Sequence, residues 1–251
     1  MPAFASLSAA SAAAALRVAS LDLCSDEYLL LLARPDEIAS ISRLSHDPAD
    51  SPLWRRARRF PDNRGNLESA LSHRPTILLT MSGGGRATSL IARKLGVRAI
   101  RLDYPASVAE VDRTMLKVAA MLGDPRRANG WRKRLARLRA APRPQRDTIF
   151  LTGGGDSLRA SSLGAEWMRL AGLTQRPLPG GRASLETLAL EPPTVLLRSS
   201  YRRAQPSLGQ RWLDHPLIRR MPSRRIDADG RRWTCAGPLM LDEIERLRDL
   251  Q

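Results

Sequence analysis

Apolar positions along the chain fall into two kinds of pattern. Short runs dense in Val, Ile, Leu and Ala read as buried strands: RVASLDL (17–23), EIASISRL (37–44), TILLTM (76–81) and VRAIRLD (97–103). Between them lie helical stretches. SDEYLLLLARP (25–35) reads as a helix capped by Ser25 and stopped before Pro35, NLESALSHRP (66–75) as a short helix, and SGGGRATSLIARKLG (82–96) as a turn and helix closed by Gly96. HDPADSP (46–52) reads as a loop. Strand and helix alternating in this rhythm predict a parallel sheet with helices on its faces.

The middle of the chain changes period. In SVAEVDRTMLKVAAML (107–122) the apolar positions Val108, Val111, Met115, Val118, Ala119 and Leu122 keep helix spacing, and RRANGWRKRLARLRAA (126–141) continues as helix until PRPQR ends it. The alternation then restarts. DTIFLTGGG (147–155) reads as strand and glycine turn, LGAEWMRLAGL (163–173) as an amphipathic helix closing at Gly172, and PSLGQRWLDHPLIRRM (206–221) as helix broken at Pro216. SRRIDAD (223–229) is the last expected strand and LMLDEIERLRDL (239–250) the last helix. The expectation is α/β: two parallel-sheet lobes, 17–106 and 142–251, joined by a long helical connection over 107–141.

One phrase occurs in both halves. NLESALSHRPTILL (66–79) lies without a gap on SLETLALEPPTVLL (184–197), so Leu67 matches Leu185, Glu68 Glu186, Pro75 Pro193 and Thr76 Thr194. Helix, turn and strand are written twice, at the equivalent place in each predicted lobe.

Composition narrows the function classes. Lys+Arg 41 against Asp+Glu 25 gives a net charge of +16, which favours an anionic partner such as nucleic acid, membrane or an acidic ligand. The basic residues are spread over nearly every segment, and aromatic residues are 4%, too few for a base-stacking surface. No G-x-S-x-G, H-E-x-x-H or paired Cys-x-x-Cys occurs, and three histidines leave little for a catalytic triad. The chain is therefore expected to be no enzyme. Cys24 and Cys235 are expected as two unrelated thiols, one bridge being the alternative. MPAFASLSAASAAAAL (1–16) lacks the basic start of a signal peptide but resembles the tail of one, and no stretch reaches 18 uninterrupted apolar residues.

The order of RVASLDLCSDEYLLLLA, SRLSHDPADSP, GNLESALSHRPTILL, KLGVRAIRLDYPASVAEV and MLGDPRRANGW, followed by IFLTGGG, LGAEWMRLAGL and SLETLALEPPTVLL, resembles the helical-backbone class (class III) of periplasmic substrate-binding proteins. These serve ABC importers of ferric siderophores, haem and cobalamin. The resemblance covers 17 to about 250. It implies a monomeric periplasmic receptor with a ligand cleft between its lobes, a metal chelate as cargo with no intrinsic cofactor or metal site, and no nucleic acid. It also implies that one exposed glutamate per lobe, here Glu68 and Glu186, docks onto arginines of the transporter's membrane subunits. A basic binding module for nucleic acid or other polyanions is the competing reading.

Ligands of parallel-sheet lobes sit beyond the carboxyl ends of the strands. Loops there would present Ser45, His46, Arg86, Tyr104, Arg159, Tyr201, Arg202 and Trp233. The arginines suit an anionic chelate. His46 could ligate the metal of a haem or corrin axially, or be an ordinary hydrogen-bonded loop histidine. Trp233 and Tyr201 line the cleft or pack the lobe.

Overall fold

The computed structural model describes residues 15–81, 86–201 and 208–250. The N-terminal half runs β1 (Val18–Ser20), α1 (Leu23–Leu32), β2 (Ile38–Ser42), α2 (Arg43–His46), α3 (Trp54–Ala57), β3 (Asp62–Asn63), α4 (Leu67–Leu71), β4 (Ile77–Thr80), α5 (Arg86–Lys94) and β5 (Arg98–Arg101). Helices α6 (Val108–Met121) and α7 (Asn129–Ala140) follow. The C-terminal half runs β6 (Arg146–Leu151), α8 (Leu163–Leu170), β7 (Leu173–Gln175), α9 (Leu185–Leu190), β8 (Val195–Ser200), α10 (Leu208–Leu213), α11 (Pro216–Arg220), β9 (Arg224–Asp229), α12 (Gly230–Cys235) and α13 (Met240–Asp249).

The strands form two sheets, ordered β3-β2-β1-β4-β5 and β7-β6-β8-β9, and every pairing is parallel. Apart from the edge strand β3 the two orders are the same, so β2-β1-β4-β5 corresponds to β7-β6-β8-β9. The repeated phrase falls on α4–β4 and α9–β8, and its local bonds repeat with it. Asn66 caps α4 by accepting from the Ser69 amide at 2.9 Å, as Ser184 caps α9 by accepting from Thr187 at 3.0 Å. Beyond the prolines, the Thr76 carbonyl accepts from the Arg98 amide and the Thr194 carbonyl from Arg224, both at 3.0 Å.

Both faces of each central strand are buried, as parallel sheets with helices on both sides require. In β4, Leu78 packs into a small cluster with Ala70 and Val97, while Leu79 joins the main core. In β8, Leu196 and Leu197 divide in the same way. That main core is continuous through both halves. It takes in Leu29 and Leu30 of α1, Val111 and Met115 of α6, Trp131 and Leu135 of α7, and Ile244 and Leu247 of α13.

Several expectations need correction. Asp22, not Ser25, caps α1, its Oδ1 accepting from the Ser25 amide at 2.9 Å, because the strand before it ends at Ser20. Arg43 and Leu44 leave the expected second strand for α2. Leu173, the last residue of the stretch expected as a helix closing at Gly172, starts β7, and Trp233, expected on a loop, lies in α12, which Asp229 caps through the Arg231 amide. Cys24 and Cys235 are not separate thiols: they form a disulfide, Cα–Cα 5.4 Å, across a sequence separation of 211.

Candidate functional site

The first turn of α1 begins directly beyond the carboxyl end of β1, and α2 beyond that of β2. This juxtaposition buries Asp26. Its Oδ2 accepts from the Ser42 hydroxyl at 2.5 Å and the Ser45 hydroxyl at 2.7 Å, and its Oδ1 accepts from the Ser42 amide. Burial pushes the Asp26 carboxyl up to about 7, against the lowering pull of the Ser20, Ser42 and Ser45 hydroxyls. Asp26 therefore pins α2 and the loop after it to the floor of the N-terminal lobe.

That loop reaches the other lobe. The Tyr201 hydroxyl, just past the end of β8, donates to Asp50 Oδ1 at 2.6 Å. Arg231 Nη1 in α12 donates to the Pro48 carbonyl at 2.8 Å, while its other nitrogens grip Asp229. Burial works upward on the Asp229 carboxyl, but the Arg231 hydrogen bonds outweigh it and hold the group below its ordinary range. Nearby, the disulfide joins the first turn of α1 to the end of α12. Glu27, one turn further into α1, lies against Gly237, and burial drives its carboxyl well upward. The carboxyl-end rims of the two lobes thus face each other and touch at several points.

The expected site residues take different places around this cleft. Ser45 is 1% exposed and its hydroxyl turns inward to Asp26. His46 ends α2 half-buried, and burial lowers its imidazole below the usual value, so it is neutral near pH 7. Tyr201 is 42% exposed at the rim. Trp233 packs its ring 4.6 Å from that of Phe150 in β6. Buried His46 Nε2 and Trp233 Nε1 have no hydrogen-bond partner among the described residues. Arg159 is exposed between the glycine turn and α8. Tyr104, 58% exposed, lines a depression of about 390 Å³ with Asp103, Glu110, Arg113 and Lys117. Arg202 lies outside the described residues, as does the side chain of Arg86. A second depression, of about 870 Å³, lies away from the strand ends, between the close of α1 and the outer face of α7. Among the described residues no group of three or more His, Cys, Asp or Glu could hold a metal ion.

Chain comparisons bear on this two-rimmed arrangement. No family model and no curated protein matches the sequence. Solved structures do. The periplasmic haem-binding protein HutB of Vibrio cholerae is 18% identical, with 94% of this chain and 98% of that one covered at a TM-score of 0.73. The periplasmic heme-binding protein RhuT from Roseiflexus sp. RS-1 is 20% identical over 93% and 98% at a TM-score of 0.65. The periplasmic vitamin B12 binding protein BtuF of Vibrio cholerae is 18% identical over 93% and 95% at a TM-score of 0.62.

The chain has the fold of the class III periplasmic binding proteins.

Within that fold Glu68 and Glu186 take the same station in each lobe. Each is the second residue after its helix cap, each is exposed, and each sits where the helix dipole favours a carboxylate. The Glu186 carboxyl is held below its ordinary range by its own amide and the Ser184 hydroxyl. Sequence reasoning missed Asp50, Arg231 and the cysteine pair as contacts between lobes. The only sequence signal for Asp50 was its place between Pro48 and Pro52 in a loop at a strand's carboxyl end.

Proposed function

We propose that this chain is a periplasmic solute receptor that takes a metal chelate between its two rims and delivers it to an ABC importer. The observation that carries the reading is the duplication itself. Two lobes of equal strand order each expose one first-turn glutamate at the same station, and the fold requires neither side chain. Two carboxylates on separate rigid units fix orientation as well as attraction, and arginine partners can grip each one bidentately. The disulfide suits an oxidising compartment such as the periplasm.

On this reading Tyr104, Arg159 and Tyr201 face the ligand. His46 and Trp233 offer ring nitrogens from the rim, and Ser45 acts through Asp26 rather than by contact. Arginines on the rim favour a chelate with anionic groups. Haemin leads the candidates, since HutB and RhuT bind haem and its carboxylates would meet those arginines.

A thermal-shift series with haemin, cyanocobalamin, a ferric catecholate and a ferric hydroxamate tests the proposal. A ligand present at a hundred times its Kd adds about 2.7 kcal/mol to stability, a shift readily seen. One class should raise the melting temperature in a saturable way. No shift with any of the four, together with tight DNA binding that weakens steeply with salt, would establish the polyanion-binding module instead.

A further inference from the structure

The covalent path between the lobes runs through α6 and α7, and the Cys24–Cys235 disulfide adds a second one. Its two anchors are unusually well fixed. Cys24 lies in the first turn of α1, next to the buried Asp26. Cys235 closes α12, and the segment after it is held from three sides. Trp167 Nε1 of α8 donates to the Ala236 carbonyl and Trp131 Nε1 of α7 to the Pro238 carbonyl, both at 2.9 Å. Glu27 of α1 comes so close that a Cβ on Gly237 would lie 2.9 Å from its Oε2. The bridge therefore joins rigid parts of both lobes at the carboxyl-end side, beside the contacts Tyr201–Asp50 and Arg231–Pro48.

We propose that Cys24–Cys235 is a redox-sensitive tie across the cleft. Oxidised, it holds the lobes at one separation and so keeps Glu68 and Glu186 at a constant spacing. Reduced, it leaves the outer parts of the lobes to move about the α6–α7 connection, restrained by the shared core and the polar contacts that remain. A dithiol reductant opens it by exchange. The reductant's thiolate attacks the sulfur of Cys24, the more exposed of the two, and Cys235 leaves as a thiolate and takes up a proton. The reductant's second thiol then resolves the mixed disulfide. The protein gains two electrons and two protons, and the reductant becomes the disulfide. The tie follows from the fold, whereas its effect on transporter docking rests on the receptor reading above.

The test reads lobe separation without any ligand or transporter. Ketone-bearing residues placed at Ser72 and Leu190, exposed and equivalent positions at the ends of α4 and α9, take a donor and an acceptor dye through oxime bonds that thiols do not attack. Single-molecule energy transfer should give one narrow distribution for the oxidised chain. After full reduction with dithiothreitol, checked by titrating both thiols, the distribution should broaden at least twofold or shift to lower transfer. Rejoining the two thiols with a short bis-maleimide should narrow it again, while capping them singly with iodoacetamide should not. An unchanged distribution in the fully reduced chain overturns the tie. Should reduction abolish the far-ultraviolet circular dichroism, Cys24→Ala with Cys235→Val takes its place in the same measurement. Because no ligand is used, a failed tie leaves the receptor reading to be judged by the thermal-shift series alone.

Discussion

Tyr201 and Asp50, 151 residues apart, meet across the lobes through a hydrogen bond of 2.6 Å from the phenol to a carboxylate oxygen. Asp50 is 2% exposed, so its charge has left most of its water behind and relies on donors such as this one. Tyr201→Phe removes the donor and keeps the ring. The variant should lose about 1–2 kcal/mol of stability, the range for a hydrogen bond to a charged group at a partly exposed site. Urea unfolding checks this. A loss below about 0.3 kcal/mol would mean that water or another group replaces the phenol at no cost.

Gly230 makes that contact possible from behind. It opens α12 against the end of β8, and a Cβ there would come within 2.7 Å of the Ser200 carbonyl and the Tyr201 amide. Both are backbone atoms and cannot swing aside. Gly230→Ala should therefore cost about 1–3 kcal/mol through overpacking, and part of that cost should vanish in a Tyr201→Phe background because both changes disturb one contact. Gly130 in α7 is the contrasting case, with nothing within 4 Å of its added Cβ. Gly130→Ala should stabilise the chain by about 0.5–1 kcal/mol through helix propensity alone. Melting curves of the variants decide both points.

These contacts mark where sequence reading stops. The duplication was legible because its carriers are local: a cap residue, an apolar pair starting four residues on, a proline and a strand, repeated without a gap. The helix α6 was legible for the same reason, since Val108, Val111, Met115, Val118 and Ala119 are its buried face. Short elements were not. β7 has three residues and α12 six, and in each case partners distant in sequence supply what local propensity lacks. The Cys24–Cys235 bridge and the Tyr201–Asp50 bond depend on how two lobes face each other, which no periodicity encodes. Ser45, expected on a loop, lies in α2, and the side to which its hydroxyl turns is set by a buried carboxylate on a different helix.

That carboxylate gives the chain a pH signature. Asp26 is buried and its value rises from an ordinary 3.8 to about 7. The folded state therefore binds the proton more tightly than the unfolded state. Below pH 4 the group is protonated in both states and costs nothing; between about pH 4 and 7 only the unfolded chain gives its proton up freely, so stability falls as pH rises; above 7 the loss is complete. At 1.36 kcal/mol for each pH unit in that window, the loss is at most about 4 kcal/mol. Buried Glu27 acts with the same sign. Asp26→Asn should flatten the decline in unfolding free energy between pH 4 and 7 without abolishing it. Urea midpoints across that range provide the measurement, and an unaltered slope in the variant would show that Asp26 does not carry the effect.

Glu68 and Glu186 lead to the opposite kind of prediction, a large functional effect with little structural cost. Both side chains are exposed first-turn glutamates whose helices are already capped by Asn66 and Ser184, so replacing either should leave the melting temperature nearly unchanged. Neither makes any of the described contacts between the two rims, so affinity for whichever chelate the thermal-shift series finds should stay within twofold of the parent. Uptake should respond differently. Glu68→Arg or Glu186→Arg alone should weaken delivery to the cognate importer by at least tenfold, as a like charge is set against arginine, and the double reversal should abolish it. Matching reversals in the importer's arginines should restore part of the uptake, an outcome a merely helix-stabilising pair of glutamates would not produce. Ligand transport into vesicles carrying the importer, measured beside ligand affinity for the same variants, separates the two roles. Normal transport by the double variant would remove these carboxylates from docking and leave them as favourable helix-terminus charges only.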